Sequence, residues 1–320
     1  MQILRNALFG SLFFATASTA HAQAFPNKPL RLIVPYPAAG AVDIVSRLLA
    51  DKLGGSLGTT VIVENKAGAA GMIGADQMAK SPADGYTLAM ITVSSHAIAP
   101  SVYKSMPYDP LADFAMVSIT ANTPYIITVS PSVPARSLRE LIALAKAKPG
   151  ALNFGSSGTG TTPHLAGELF NTLAGVTLNH IPYKGSAPMV NDLLGAQVQV
   201  AFDNTVIPHI KAGKLIGLAV TSGTRLAAVP DIPTAIEAGL AGYEAVGWMG
   251  IAAPKGTPAD VVARLARDTA RGMAQPDVVE KLTALGFQSA SSSPEQFTAY
   301  IRGEIAKWAK VVKEAGIKPE

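Results

Sequence analysis

Short runs of branched aliphatic residues that end in small-residue turns and pass directly into amphipathic helices recur along this chain, and that alternation restricts the fold more than any other feature. LRLIV (30–34) reads as a strand, PYPAAG as the turn, and 41–53 as a helix with Val42, Val45, Leu49 and Leu53 on one face. TVIVEN (60–65) is the next strand, KAGAAGMIGADQMAK supplies a Gly-rich turn and a helix to Lys80, and YTLAMI (86–91) opens a third strand. Strands separated by helices in this way predict an α/β fold, a parallel sheet covered by helices.

The pattern then restarts. YIITVS (125–130), a helix over 138–148, LNFGSS, a helix over 164–174, and further strands at 178–181, 198–202 and 215–220 predict a second α/β lobe. EAVGWMGIAAP (244–254) is a long extended stretch able to carry the chain back to the first lobe, and helices over 258–274 and 294–315 close the sequence. YDPLADF and VPDIPT read as loops, with Pro starting turns or helices. Roughly 300 residues exceed what one core usually organises, so two lobes also follow from length.

The first residues have the form of an export signal: Arg5, the apolar run ALFGSLFFATAS and the small-residue pattern AHA, with cleavage expected after Ala22. The apolar run falls short of the roughly 18 to 20 residues of a membrane helix. With no Cys anywhere, the chain has no lipid-attachment site, no disulfide framework and no thiol nucleophile. A periplasmic location fits this combination. Charged residues make up only 15%, the formal charge is +4 and no basic run occurs, which disfavours nucleic-acid binding.

Two Gly turns stand where ligands lie in open α/β sheets, beyond the carboxyl ends of strands. They are PYPAAGAVD (35–43) in the first lobe and GSSGTGTTPH (155–164) in the second. The second offers hydroxyls, small residues and backbone amides expected to be free at a helix start, a setting that attracts anions. Ser, Thr and Gly before a helix are also ordinary caps, so neither turn alone defines a site. The four His after the signal (His96, His164, His180, His209) form no metal-ligand pair, and no hydrolase, peptidase, Walker or dinucleotide motif is present. Asp43 reads as a dipole partner, Asp203 as a helix cap and His164 as a first-turn helix residue.

The series RLIVPYPAAGAVDIVSR, VIVENKAGAAGMIGAD, PADGYTL, PYDPLADF, GTGTTPHLAGELF, HIPYKGSAPMVNDLLGAQVQVAFDN, AGKLIGLAVT, VPDIPTAIEAG and WMGIAAPKGTP resembles the Bug family, the receptor proteins of tripartite tricarboxylate transporters. The resemblance runs in order from about Pro26 to the C-terminus. It implies a periplasmic solute-binding protein of the type II Venus flytrap fold: two α/β lobes joined by two crossing strands, closing on a small carboxylate. The implied lobes are 23–122 with 247–320, and 123–246. The first-lobe contacts it implies are Tyr36, Pro37, Ala38, Ala39, Gly40 and Asp43, with Ala70, Gly71, Ser94 and Ser95 nearby. Those of the second lobe are Ser157, Gly158, Thr159, Gly160 and Thr161, with Tyr183, Asp203 and Asn204 closing the pocket.

Two departures stand out. The family usually has Gly where this chain has Ala39 and Ala70, and an added methyl restricts positive φ and crowds whatever approaches the amide. The resemblance further implies a monomer without cofactor or metal that takes a dicarboxylate, an aromatic carboxylate or an amino acid. Its expected partners are the membrane subunits of a tripartite transporter or a sensor kinase. The competing readings are a two-lobed hydrolase or isomerase using Asp43 or Asp203 as a base, and the effector domain of a regulator; the signal peptide opposes the latter.

Overall fold

In the computed structural model, which describes residues 25–319, the first series folds as β1 (Leu30–Val34), α1 (Ala41–Leu57), β2 (Val61–Asn65), α2 (Met72–Ala79), β3 (Thr87–Thr92), α3 (Ala99–Val102) and β4 (Phe114–Pro124). The export signal and its cleavage point lie outside the described residues. The second series is β5 (Ile126–Val129), α4 (Leu138–Ala147), β6 (Asn153–Ser156), α5 (Thr162–Ala174), β7 (Asn179–Pro182), α6 (Ser186–Leu194), β8 (Val200–Asp203), α7 (Ile207–Lys211) and β9 (Ile216–Val220). The chain returns as β10 (Val246–Pro254) and ends with α8 (Ala259–Met273), α9 (Pro276–Ala284), β11 (Gln288–Ser289) and α10 (Pro294–Glu314).

The local signals act as expected at the helix ends. α1 stops where Gly58 turns left-handed (φ 69°) and returns its N–H to Gly54 O. α10 begins with a capping box between Ser293 and Gln296 and with Pro294 in its first turn.

The strands form two sheets, ordered β11-β4-β10-β3-β1-β2 and β7-β6-β8-β5-β9. The expectation of parallel sheets needs correction, because each sheet is mixed. In the first, β10 runs antiparallel between β3 and β4; in the second, β5 runs antiparallel between β8 and β9. Apart from the edge strand β11, the two lobes have the same plan: a parallel β-α-β series, then an antiparallel strand that has just arrived from the other lobe. This is the two-lobed type II arrangement with two crossings.

Alternation along β1 sends Leu30, Leu32 and Val34 to one core with Leu49, Leu53 and Leu265 of α1 and α8, and Ile33 to the other. That second core is continuous between the lobes, joining Ile91 and Ala97 to Phe154, Phe170 and Phe202, with Phe297, Ile301 and Trp308 of α10 among them. Among the described residues no helix is long and apolar enough to cross a membrane.

The crossings are bonded to each other. Tyr125, the one residue between β4 and β5, donates its N–H to Thr221 Oγ1 (2.9 Å) and accepts the Thr221 N–H (3.0 Å). Thr221 Oγ1 donates in turn to Ala245 O (2.6 Å), just before β10. All three residues are buried. Thr221→Val would orphan a buried N–H and a buried carbonyl, so a loss of about 2 kcal/mol or more is expected in urea unfolding. Thr221→Ser, which keeps the hydroxyl, should lose about 1 kcal/mol.

Candidate functional site

The turn after β1 is held from three directions. Tyr36 Oη donates to Ala70 O (3.1 Å) and shares a 2.8 Å bond with Thr92 Oγ1, so one phenol ties the loops after β1, β2 and β3 together. Burial, only partly offset by the Thr92 and Ser94 hydroxyls, raises its pKa. Asp43, in the first turn of α1, accepts the Ala39 N–H and Arg47 Nε on Oδ2 and Asn65 Nδ2 on Oδ1, each at 2.9 Å. Asn65 also donates to Tyr36 O (3.0 Å). Burial is the largest single influence on Asp43 and pushes its pKa up, but these donors together outweigh it and hold the carboxyl below its ordinary range.

Asp43 therefore lies under the loop, 2% exposed, while Pro37, Ala38 and Ala39 are exposed at its tip and Gly40 half-buried behind them. A carboxylate engaged by three donors on both of its oxygens is a brace, which argues against its use as a base.

The two departures from the usual glycines fall on left-handed backbone, Ala39 at φ 62° and Ala70 at φ 52°, with Ala69 at 47° beside the latter. Gly71 (φ 95°) has no such latitude: a Cβ there would stand 3.2 Å from Tyr36 Oη and 3.4 Å from Ser95 Cβ.

β3 leads into a π-helical turn, Ser94–Ile98, an irregularity often found at functional sites. Ser94 neighbours the Tyr36 phenol. Ser95 is fully buried, with Oγ accepting the Thr92 N–H (3.2 Å) and meeting His96 Nδ1 (2.9 Å), so it supports the turn from below.

The loop after β6 bends at Gly158 (φ 139°) and Gly160 (φ 72°). Thr161 Oγ1 donates to Gly158 O (2.7 Å) and accepts from Ser157 Oγ (3.4 Å). The expectation of free amides here needs correction. The Gly158 N–H goes to Ser156 Oγ (3.1 Å), the Gly160 N–H to His164 Nδ1 (3.2 Å) and the Thr161 N–H to Gly158 O (3.3 Å). Thr159 is exposed at the tip.

The lobes touch at this loop: a Cβ on Gly160 would stand 3.3 Å from Val102 Cγ2 of α3. Tyr125, on the crossing, places its phenol by the Thr162 hydroxyl and within electrostatic range of Asp203 and Tyr36; burial above all drives its pKa upward. Tyr36, Val102, Tyr125, Gly160, Thr162 and Asp203 thus converge between the lobes. Asp203 is buried, accepting Ser186 Oγ (2.7 Å) and the Thr205 N–H and hydroxyl (2.8 and 2.6 Å), and desolvation pushes its pKa up. Asn204 backs onto Gly286 of the first lobe.

Tyr183 contributes backbone rather than ring. Its carbonyl lies beside Gly158, while its hydroxyl donates to Asp192 Oδ2 (2.7 Å). Tyr125, Thr162 and Val102 are absent from the sequence-based site; the signal for Tyr125 was its place at the change of sheet, since a crossing strand must pass the cleft.

None of the converging residues is Lys or Arg, and Arg47 is committed to Asp43. Among the described residues no cluster of His, Cys, Asp or Glu could hold a metal. The polar groups these residues bring are neutral hydroxyls, while the Gly158, Gly160 and Thr161 amides are engaged within the loop.

A left-handed L-residue costs about 1–2 kcal/mol, and Gly gives back about 0.5–1 kcal/mol in chain entropy. Ala39→Gly and Ala70→Gly should each raise stability by a few tenths to about 1 kcal/mol in thermal unfolding. Gly71→Ala should lower it.

The family model described as "Tripartite tricarboxylate transporter family receptor" matches residues 45–317. The chain is 40% identical to Protein BugT of Bordetella pertussis over 99% of both chains. Among solved structures, an R. palustris protein with adipate is 38% identical with a TM-score of 0.84, covering 92% of this chain and 100% of that one. MatC from Rhodopseudomonas palustris with bound malate is 30% identical with a TM-score of 0.79, over 90% of this chain and 100% of MatC.

Proposed function

The chain belongs to the tripartite tricarboxylate transporter receptor family, and from that premise we propose that it captures a small dicarboxylate between its lobes for delivery to the membrane subunits of such a transporter. The class itself is that of a solute-binding receptor and not of an enzyme. The observation that carries the ligand reading is the convergence between the lobes of the Gly160 loop on Val102, and of Tyr36, Thr162 and Asp203 around the Tyr125 phenol, a hydroxyl-rich setting with no Lys or Arg among these residues. Two relatives solved with adipate and malate support a dicarboxylate.

In this reading the Tyr36–Gly40 turn, with Ala70, Gly71 and Ser94, forms one wall. Ser157, Gly158, Thr159, Gly160 and Thr161 form the other, and Tyr125 and Thr162 face the ligand from the crossing. Asp43, Ser95 and the ring of Tyr183 support the walls without touching it. Asp203, anchored by Ser186 and Thr205, and Asn204 close the far end. The lobes are taken as 23–122 with 247–320, and 123–246, since the sheets change beside residues 124–126 and 246. Membership of the family supports a periplasmic location, and the signal-like N-terminal sequence agrees with it.

Anion capture by neutral donors has a direct test. A ligand bound only to the folded state stabilises it by about 2.7 kcal/mol at a hundredfold excess over Kd, which corresponds to several degrees in melting temperature for about 2 °C or more per kcal/mol. Adipate or malate should give such a shift, and the matching diamide or dimethyl ester should lose most of it. Gly158→Asp, which adds bulk and like charge, should abolish the shift in a folded protein. If the diamide stabilises as well as the diacid, the carboxylate reading is wrong.

A further inference from the structure

Beneath the second-lobe loop lie two stacked imidazoles that are not among the carboxylate contacts proposed above. His164, in the first turn of α5 and 5% exposed, and His180 on β7 stack with ring centroids 3.9 Å apart and planes 20° from parallel. Phe154 covers the other face of His180 at 5.0 Å. Both rings hold the loop. His164 Nδ1 accepts the Gly160 N–H (3.2 Å), and His180 Nε2 bonds Ser156 Oγ (2.6 Å), the same hydroxyl that accepts the Gly158 N–H.

The chemistry of the two bonds differs. A hydroxyl can donate or accept, so Ser156 can satisfy His180 in either protonation state. The Gly160 amide can only donate, so His164 must present a bare Nδ1 and carry its proton on Nε2. Protonation of His164 would set N–H against N–H.

We propose that His164 is a positioning residue of the ligand loop: as the neutral Nε2–H tautomer it fixes the Gly158–Gly160 backbone in its ligand-gripping shape, and protonation releases it. The proposal rests on the carboxylate reading only for what the loop grips. The surroundings disfavour charge on the ring. Burial holds the pKa of His164 down at about 4 and, with the neighbouring imidazole adding to it, that of His180 at about 3.

Among the described residues, α5 and the elements packed near it carry the following groups. On α5 itself Glu168 Oε1 lies 3.7 Å from His164 Nε2, beyond hydrogen-bond reach, and burial raises its pKa, which weakens it as a counter-charge. β8 brings Phe202 and, at its end, Asp203, held by Ser186 and Thr205. The segment before β10 brings Tyr243, whose hydroxyl donates to Ala166 O (2.9 Å). α10 brings Glu304, occupied by Trp248, Trp308 and Lys307. Because the folded-state pKa lies below the ordinary value, the neutral ring contributes stability above about pH 6.5 that is lost as pH falls toward about 4.

The test uses the full chain, with His164→Ala removing the acceptor and His164→Asn replacing it by Oδ1 near the Nδ1 position. Imidazole nitrogen spectra of the unsubstituted protein should find His164 as the neutral Nε2–H tautomer from pH 7 down to pH 5. Gly160 amide exchange should be about tenfold faster in His164→Ala and close to the original in His164→Asn. Adipate affinity should follow the same order. An Nδ1–H tautomer, titration near pH 6.5, or unchanged Gly160 exchange in folded His164→Ala would each overturn the proposal, and the tautomer decides even if that variant does not fold. If the unsubstituted protein ignores adipate while tautomer and exchange behave as expected, the dicarboxylate reading fails and the positioning role stands. If folded His164→Ala binds adipate as tightly as the unsubstituted protein, the positioning role fails and the ligand reading stands.

Discussion

The three-point bond between Tyr125, Thr221 and Ala245 fastens the two interlobe passages to one another, and the architecture on either side depends on it. One passage is a single residue long, so β4 and β5 are nearly one continuous strand that changes sheets. The other delivers β10 into the middle of the first sheet, between β3 and β4. Each sheet is therefore completed by a strand arriving from the other lobe, and neither lobe owns its core outright. The chain passes between the lobes only near residues 124–126 and between 221 and 246, the element-terminal positions at which a lobe closure of the hinge type would turn.

The two walls of that cleft are braced by opposite means. Beneath the first-lobe turn lies a charged assembly, the Asp43 carboxylate with Arg47, Asn65 and the Ala39 amide. Beneath the second-lobe turn lie neutral imidazoles and a serine. The first arrangement can hold strained backbone, and does: Ala39 is kept left-handed where a glycine would rest at no cost, which requires surroundings that over-determine the conformation. The second wall needs no such force, since glycines occupy its left-handed positions at 158 and 160.

Helical periodicity located most of the longer helices, and short continuous apolar runs located most strands, β3, β5, β8 and β10 being buried along their whole length. Both signals failed where their pattern is missing. β4 (FAMVSITANTP) buries Ser118 and Thr120 by bonding their hydroxyls to backbone carbonyls, so it carries no alternation to read. α6, α7 and α9 are short, and α9 buries only Val278 and Leu282, too few to establish a period. Strand direction was inaccessible as well, because β5 and β10 are distinguished from parallel strands only by where the chain came from. In the site, strand-turn-helix grammar identified both loops, and Gly158 and Gly160 indeed take positive φ. The fate of individual groups was hidden: that the Gly160 amide is spent on His164, that Tyr183 turns to Asp192 and that Asp43 takes Ala39, Arg47 and Asn65 together depend on the exact path of each loop, which residue types and spacing leave open.

The absence of Lys and Arg among the converging cleft residues has a physical rationale for a receptor that must also release its cargo. A buried cation would pair strongly with a carboxylate, but once the ligand left it would remain desolvated and unpaired, at a cost of several kcal/mol. Hydroxyls and backbone amides carry a smaller penalty when empty and can be satisfied by water or by each other, as Tyr36 and Thr92 are. In the proposed reading, binding draws on modest neutral donors from both lobes, so affinity is tied to how the lobes stand relative to one another.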